Sequence, residues 1–174
     1  LINVALEIFA YAQALGEDRL KTPKDDLTSI MMHAEVDGER MSPQEFGSFF
    51  ILLVVAGNET TRNAISHGMF ELTRLPDERA KWFGNFEANT KTAVEEIVRW
   101  SSPVIHFRRT ATRDTEIRGV KIKEGEKIVM WYNSANRDEE VYENPYIFDV
   151  TRAPAPGQVG FGAGGPHFCL GANL

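Results

Sequence analysis

The sequence is poorest in cysteine, histidine and long apolar runs, and each shortage excludes a class of protein. One cysteine, Cys169, and four histidines occur in 174 residues, so no internal disulfide can form and zinc ligands are few. The longest apolar candidate, residues 49–57, is far shorter than the roughly 18 residues of a membrane span. Acidic residues outnumber basic ones, 25 against 19, which argues against a nucleic-acid partner.

What is present is the composition of an ordinary globular domain. Hydrophobic residues make up 43% and charged residues 25% of the chain, and its length can bury a sizeable core. We therefore expect a soluble protein with no membrane span in this segment, and the single cysteine favours a reducing compartment. Because the sequence begins at Leu1 rather than Met and stops at Leu174 just after a glycine-rich motif, we also expect a longer parent chain, whose targeting signal is not visible here.

Apolar spacing and helix-terminal residues predict that the first hundred residues are mainly helical. The strongest helix start is at Ser42, because Pro43 suits the first helical position and Glu45 completes a capping box. Gly16 is the expected end of the first helix, and the charged stretch 17–26 is expected to be a loop. The helices predicted in this way are 1–15, 27–34, 42–75, 77–83 and 90–100.

Beyond Pro103 the pattern changes to short strands separated by turns. Residues 133–160 contain prolines and few periodic apolar positions, as an irregular loop or a linker does. The predicted fold class is mainly α with small β-sheets, in one domain. The predicted strands are 104–109, 115–117, 120–122 and 127–131, with turns at Gly119 and Gly125.

The densest chemical signal is the glycine-rich stretch 160–171, which contains Cys169. Glycines let the backbone turn sharply and approach a flat ligand closely. A thiolate is stabilised by amide donors, which a helix beginning at Leu170 would supply. His167, two residues before the sulfur, could meet an anionic group.

Other readings of this stretch stay open on the residues alone. A lone cysteine is more often a small buried hydrophobe than a ligand, and a nearby histidine could indicate a Cys–His nucleophile. The spacing Gly160-x-Gly162-x-x-Gly165 also matches a dinucleotide fingerprint. That match is weak, since Pro166 interrupts it and no βαβ unit is visible.

A second unusual segment, 56–61, interrupts the apolar part of the long helix. An acid and a hydroxyl, Glu59 and Thr60, are costly to bury unless they are hydrogen-bonded. The Thr60 hydroxyl can bond back to the carbonyl of Ala56, which would bend or open the helix. Gly57 would let a flat ligand or a water lie against the backbone. Alone, the segment fits a functional site and a solvated kink equally well.

Further charged residues have ordinary explanations when each is taken alone. Glu96 and Arg99 stand three residues apart on a helix, and an exposed pair of this kind contributes only ~0.2–0.5 kcal/mol. Arg109 and its neighbour Arg108 could be exposed strand charges. The apolar pair 104–105 could simply belong to the core.

Taken together and in this order, these segments resemble the cytochromes P450, which are haem-thiolate monooxygenases. In the haem-binding signature of that family, which 160–171 resembles, Cys169 would be the iron ligand. Phe161 would shield the sulfur and His167 would meet a haem propionate. Phe161 lies eight residues before Cys169, one more than is common in the family, and this Gly-Gly-Pro insertion resembles one actinobacterial branch.

The resemblance also implies roles elsewhere in the chain. Segment 56–61 resembles the family's oxygen-activation motif, in which Glu59 and Thr60 would deliver protons through ordered water. Glu96, Arg99 and Arg152 resemble the structural triad that holds the haem loop. The resemblance further implies haem contacts at Ala56, Gly57, Gly162 and Arg109, with Arg108 as the alternative to Arg109, and substrate contacts at Val55, Val104 and Ile105.

The implied fold is the C-terminal part of the cytochrome P450 fold, with 1–174 as a partial domain that lacks the N-terminal part and the end of the C-terminal helix and tail. The implied cofactor is haem b, with O₂ as co-substrate and electrons from NAD(P)H through a ferredoxin and a ferredoxin reductase. Residues 56–69 and 92–103 resemble the actinobacterial branch that hydroxylates methyl-branched lipids and sterol side chains. This resemblance implies a soluble bacterial protein of the cytoplasm. Two alternatives are a non-catalytic fragment that cannot retain haem by itself and a cysteine-dependent hydrolase.

Overall fold

The computed structural model describes residues 2–153, 155, 157–162 and 164–173, the last of them by its backbone alone. The described residues divide into two compact units, Leu1–Glu59 and Thr60–Leu174, and the boundary falls within one long helix. None of the described helices is both long enough and apolar enough to cross a membrane. The helices are α1 Ile2–Lys21, α2 Leu27–His33, α3 Pro43–Arg74, α4 Pro76–Gly84, α5 Phe86–Ser101 and α6 Tyr132–Ala135, followed by a 3₁₀ turn at Leu170–Asn173.

The strands form antiparallel pairs, as expected for small sheets in a mainly helical chain. β3 pairs with β6, with His106 opposite Trp131 and Thr110 opposite Lys127. Two further pairs, β1 with β2 and β4 with β5, are short hairpins. The strands are β1 Glu35–Val36, β2 Glu39–Arg40, β3 His106–Thr110, β4 Thr115–Ile117, β5 Val120–Ile122 and β6 Lys127–Trp131.

The first unit shows one wrong helix end and one correct helix start. Gly16 does not end α1, which continues to Lys21, so part of the expected loop 17–26 is helical. The reason is close contact, because a Cβ at Gly16 would lie 3.2 Å from the Phe46 ring and 3.3 Å from the Met32 sulfur. At the start of α3, the Ser42 N–H donates to the Glu45 carboxylate (2.8 Å) and the Glu45 N–H donates to the Ser42 hydroxyl (3.2 Å). This is the predicted capping box.

The polar segment 56–61 does not open the long helix. α3 is helical from Pro43 to Arg74, so the helix does not open there. A bend, the other expected effect of a bond from Thr60 to Ala56, stays a prediction. In the second unit the end of α3 packs tightly on α5, since a Cβ at Gly68 would lie 2.9 Å from Ile97 Cδ1. The core between them is apolar and consists of Leu72, Ala93, Phe148 and Val150.

The start of α5, the start of β3 and residues 133–135 also differ from the sequence prediction. α5 begins at Phe86 rather than at residue 90, and the Thr90 hydroxyl instead donates to the Phe86 carbonyl. β3 begins at His106, so Val104 and Ile105 precede the strand. Within the irregular stretch 133–160, residues 133–135 belong to the short helix α6.

A buried ion-pair network holds α5 against the coil that follows α6. Glu96 and Arg99 on α5 have side chains 0% and 2% exposed. The Glu96 carboxylate accepts two hydrogen bonds from Arg99, at 2.7 and 2.8 Å, and one from Arg152, at 3.0 Å. It also accepts the Asp149 N–H at 3.0 Å. All the oxygen lone pairs of this buried carboxylate therefore face donors.

The two guanidinium groups turn their remaining N–H groups to backbone carbonyls of the coil. Arg99 also lies 5.7 Å from the ring centroid of Trp100 and 5.4 Å from that of Tyr142. Because the carbonyls lie in a segment without repeating hydrogen-bond partners, Arg99 and Arg152 supply the donors that a helix or sheet would otherwise supply. The carbonyls that accept from them belong to Asn136, Glu143, Asn144, Pro145 and Ile147.

Candidate functional site

Cys169 lies in a short loop that closes on itself through backbone hydrogen bonds. The Cys169 N–H donates to the Phe161 carbonyl at 2.9 Å, and the Phe168 N–H donates to the Gly165 carbonyl at 3.1 Å. The Cys169 thiol is exposed and forms no disulfide. The loop therefore presents one sulfur to its surroundings from a fixed backbone.

Glycines make this loop possible at positions where a side chain would be strained. Gly162, Gly164 and Gly165 have φ angles of +95°, +92° and +82°, a region that L-residues rarely adopt. A Cβ at Gly164 or Gly165 would meet no atom within 4 Å. One face of the loop is therefore open.

Phe161 lies eight residues before Cys169, and its carbonyl accepts the Cys169 N–H at 2.9 Å. Phe161 is half-buried, and His167 is exposed on the same loop. The shielding role of the Phe161 ring and the anion contact of His167 stay predictions.

The first turn after the cysteine lies beside its sulfur. A Cβ at Gly171, inside the 3₁₀ turn, would lie 3.8 Å from Cys169 Sγ. Among the described residues, no three His, Cys, Asp or Glu side chains are placed to hold a metal ion. A metal at Cys169 would therefore bring further ligands with it, as the iron of a porphyrin does, and this donor set fits haem.

Arg109, and not Arg108, lies on the face of its strand that is turned toward this loop. Side chains alternate along β3, so Arg109 shares a face with Phe107, whose ring centroid lies 5.5 Å from the Arg109 guanidinium. The Phe107 ring stacks on Tyr132 at 5.9 Å. A Cβ at Gly162 would lie 3.9 Å from the Tyr132 hydroxyl. Strand alternation therefore favours Arg109 over Arg108, and the contact of either arginine with a haem propionate stays a prediction.

The predicted oxygen-activation residues lie on one stretch of α3. Gly57 and Glu59 are exposed, Thr60 is half-buried, and Val55 is 67% exposed. A Cβ at Gly57 would meet no atom within 4 Å, which leaves space for a flat group against the backbone. Ala56 is also exposed. The functional roles of all five residues stay predictions.

The predicted substrate residues 104 and 105 lie in the bend between α5 and β3. Val104 is half-buried, and Ile105 is exposed with its carbonyl accepting the Tyr132 N–H at 2.9 Å. Tyr132 therefore ties this bend to the strand face that carries Arg109.

Sequence reasoning missed several residues that connect the network to the loop. The Tyr142 hydroxyl donates to the Gly157 carbonyl at 3.0 Å, and burial raises the pKa of this phenol, which keeps it a neutral donor. Gln158 donates to Glu95 at 3.1 Å, and Asn136 accepts the Val159 N–H at 2.8 Å. These residues lie at irregular positions, so no periodic pattern could have identified them.

The comparisons with known proteins agree with this geometry. The family model described as "Cytochrome P450" matches residues 89–174. A methyl-branched lipid omega-hydroxylase of Mycobacterium tuberculosis is 58% identical over 173 residues, which cover 99% of this chain and 40% of that protein. A steroid C26-monooxygenase of Rhodococcus jostii is 51% identical over 170 residues, which cover 98% and 35%.

A solved structure shows the same fold. A Mycobacterium marinum cytochrome P450 in complex with pseudoionone superposes with a TM-score of 0.86 at 48% identity, over 97% of this chain and 41% of that one. The chain thus spans about two fifths of the length of the proteins that it matches. On its sequence, its fold and its cysteine loop, the chain belongs to the cytochrome P450 family.

Proposed function

We propose that this chain holds haem b through the Cys169 thiolate and forms part of an enzyme that hydroxylates an apolar substrate. The observation that carries this proposal is one exposed thiol on a glycine-rich loop whose backbone is fixed at both ends. When bound, the haem supplies the iron at which dioxygen is activated, and a thiolate ligand favours cleavage of the O–O bond. The family relationship supports this chemistry.

The loop residues would hold and protect the sulfur. The hydrogen bond from the Cys169 N–H to the Phe161 carbonyl fixes the cysteine backbone, and Gly162 lets a flat ring approach without a side chain in its way. The exposed Phe168 and the ring of Phe161 would exclude water from the thiolate, which strengthens its electrostatic interactions.

Arg109 and His167 would bind the acidic edge of the haem. Arg109 is placed on the strand face turned toward the loop, and His167 lies on the loop itself. A guanidinium can bind a carboxylate through two parallel hydrogen bonds, whereas the imidazole contributes a single one. The propionates of haem b are carboxylates of this kind.

Glu59 and Thr60 would move protons to the reacting oxygen. A hydroxyl both donates and accepts hydrogen bonds, and a carboxylate exchanges protons with water. Hydroxylation consumes dioxygen, two electrons and two protons, gives one oxygen atom to the C–H bond and releases the other as water. We propose that the electrons come from NAD(P)H through a ferredoxin and its reductase, in the cytoplasm.

The proposed substrate is a long apolar lipid with a methyl-branched or sterol end. Val55 and Ile105 are exposed apolar side chains and Val104 is half-buried, so each of them is open to contact with a hydrocarbon. Two relatives support this class by name, the methyl-branched lipid omega-hydroxylase and the steroid C26-monooxygenase.

A second candidate is that these 174 residues do not retain haem by themselves. The observation that favours it is the large apolar surface that α3 exposes, which in a soluble protein is normally covered. The matched relatives are about two and a half times as long, enough chain to cover it. The exposed apolar residues of α3 include Leu52, Val55, Ile65, Met69 and Phe70.

The first prediction concerns the iron ligand. The reduced protein exposed to carbon monoxide should show a strongly red-shifted Soret band. Cys169→Ser should abolish that shift because it removes the thiolate of the single cysteine. The measurement is an absorbance spectrum of both proteins at equal haem content. A coloured wild type without the shifted band would refute thiolate ligation, and a colourless wild type would support the second candidate.

The second prediction separates the two adjacent arginines. Arg109→Leu should weaken haem retention by about tenfold or more, because it removes a charge-assisted hydrogen bond to a propionate. Arg108→Leu removes the same charge from the opposite strand face and serves as the matched control. Haem transfer to apomyoglobin measures retention. Equal losses in the two variants would contradict the assignment of Arg109.

The third prediction concerns the substrate. A methyl-branched fatty acid should perturb the Soret band of the wild-type protein, and Ile105→Asn should weaken its affinity by about tenfold because apolar contact is lost. Ile117→Asn is the matched control, since Ile117 and Ile105 are equally exposed, at 51% and 54%. A short polar acid that binds better than the lipid would overturn the substrate class.

A further inference from the structure

Asn136 is the buried polar residue that joins the two ends of the candidate site. It follows α6, is 0% exposed, and has both polar atoms of its amide bonded. The side-chain Nδ2 donates to the Ser102 hydroxyl at 2.8 Å, and Oδ1 accepts the Val159 N–H at 2.8 Å. Its backbone carbonyl accepts from Arg99 at 2.6 Å. Asn136 thus contacts the ion-pair network and two further segments at once.

On one side, Asn136 holds the residue at which the cysteine loop begins. The Val159 carbonyl accepts the Gly162 N–H at 2.9 Å, and the Phe161 carbonyl accepts the Cys169 N–H at 2.9 Å. A shift of Val159 would therefore move the turn at Gly162, and with it the residue that holds the Cys169 backbone. These two backbone hydrogen bonds connect the Asn136 amide to the backbone of Cys169.

On the other side, Asn136 holds a strained residue that leads into the bend at 104–105. Ser102 has a φ of +36°, a conformation that residues with a Cβ rarely adopt without support. Its hydroxyl donates to the Arg99 carbonyl at 2.9 Å and accepts from Asn136. The support therefore comes from a closed set of hydrogen bonds with Asn136 at its centre.

Other contacts of the segment before the loop are less suited to this role. Tyr142 binds Gly157, two residues upstream of Val159. Gln158 binds Glu95 and the Gly160 N–H, but its side chain is only half-buried. A fully buried amide has no water to replace a lost partner, so its geometry is the most strictly set.

We infer that Asn136 is a positioning residue for Cys169: its amide fixes Val159 and Ser102 together, and so sets the loop that presents the thiolate relative to the bend at 104–105. The inference rests on the proposed function, since it assigns this role toward a haem-thiolate site. Asn136 itself touches neither the sulfur nor the reacting atoms.

The test compares two substitutions of Asn136. Asn136→Leu has similar volume and no polar atom, whereas Asn136→Asp keeps an oxygen that can accept the Val159 N–H. Thr90→Val is the control, because it removes a side-chain hydrogen bond with Trp82 away from the loop. Amide hydrogen exchange at Gly162 and Cys169 is measured, together with the fraction of reduced, CO-exposed protein that has the red-shifted Soret band.

Asn136→Leu should speed exchange at both amides by about tenfold, the factor for loss of one buried hydrogen bond, and should lower the red-shifted fraction. Asn136→Asp keeps the acceptor for the Val159 N–H but loses the donor to Ser102, so its exchange should lie between those of Asn136→Leu and the wild type. Thr90→Val should leave both readouts close to those of the wild type. If Asn136→Leu does not fold, Ser102→Gly takes its place. Glycine tolerates the positive φ but removes the acceptor of the Asn136 amide, so exchange should rise in the same direction.

Unchanged exchange at Gly162 and Cys169 in Asn136→Leu, or in Ser102→Gly where it replaces that variant, would overturn the inference. Faster exchange at Val159 alone would also overturn it, because the loop would then not depend on the amide. So would equal disturbance in Asn136→Asp and Asn136→Leu. The exchange measurement needs no haem, whereas failure of the proposed function appears as a wild type that lacks the red-shifted band.

Discussion

The second unit depends on one buried carboxylate, that of Glu96. A charge removed from water is strongly unfavourable unless it is paired and hydrogen-bonded, and Glu96 accepts four hydrogen bonds, from Arg99, Arg152 and the Asp149 N–H. The two arginines that pair with Glu96 have the same need for hydrogen-bond partners. Each guanidinium must also satisfy its remaining N–H groups, and they do so on carbonyls of the coil after α6. The ion pair thereby folds a segment that has no helix or sheet of its own.

The same network reaches the cysteine loop. Arg99 contacts the Asn136 carbonyl, and the Asn136 amide accepts the N–H of Val159, where the loop begins. A thiolate ligand needs a fixed position relative to the ring that it binds, and a loop of glycines cannot supply that rigidity alone. We therefore attribute the rigidity of the site to the buried polar contacts of Arg99 and Asn136. The glycines allow the backbone conformation of the loop.

Local patterns predicted much of the fold. The Ser42–Glu45 capping box, the strands 115–117, 120–122 and 127–131, and the end of α3 before Pro76 depend on neighbours in sequence, and the structure has them. Gly16 was misjudged because its role is contact with Met32 and Phe46, which are distant in sequence. Asn136 was missed for the same reason, since long-range hydrogen bonds leave no periodic signal. α6 was missed because its four residues are too few to show a helical period. For the site, the sequence singled out Cys169 and Arg109, but only strand alternation separates Arg109 from Arg108.

The measurement that tests this account most directly is the free energy of unfolding of Glu96→Gln against Glu140→Gln. The two substitutions are chemically identical, but Glu140 pairs with Arg118 at the surface, where the side chains are 76% and 84% exposed. Urea unfolding should show a loss of about 3–5 kcal/mol for Glu96→Gln, which leaves buried guanidinium charge unpaired, and less than about 1 kcal/mol for Glu140→Gln. Equal losses would contradict the claim that the rest of the unit depends on Glu96.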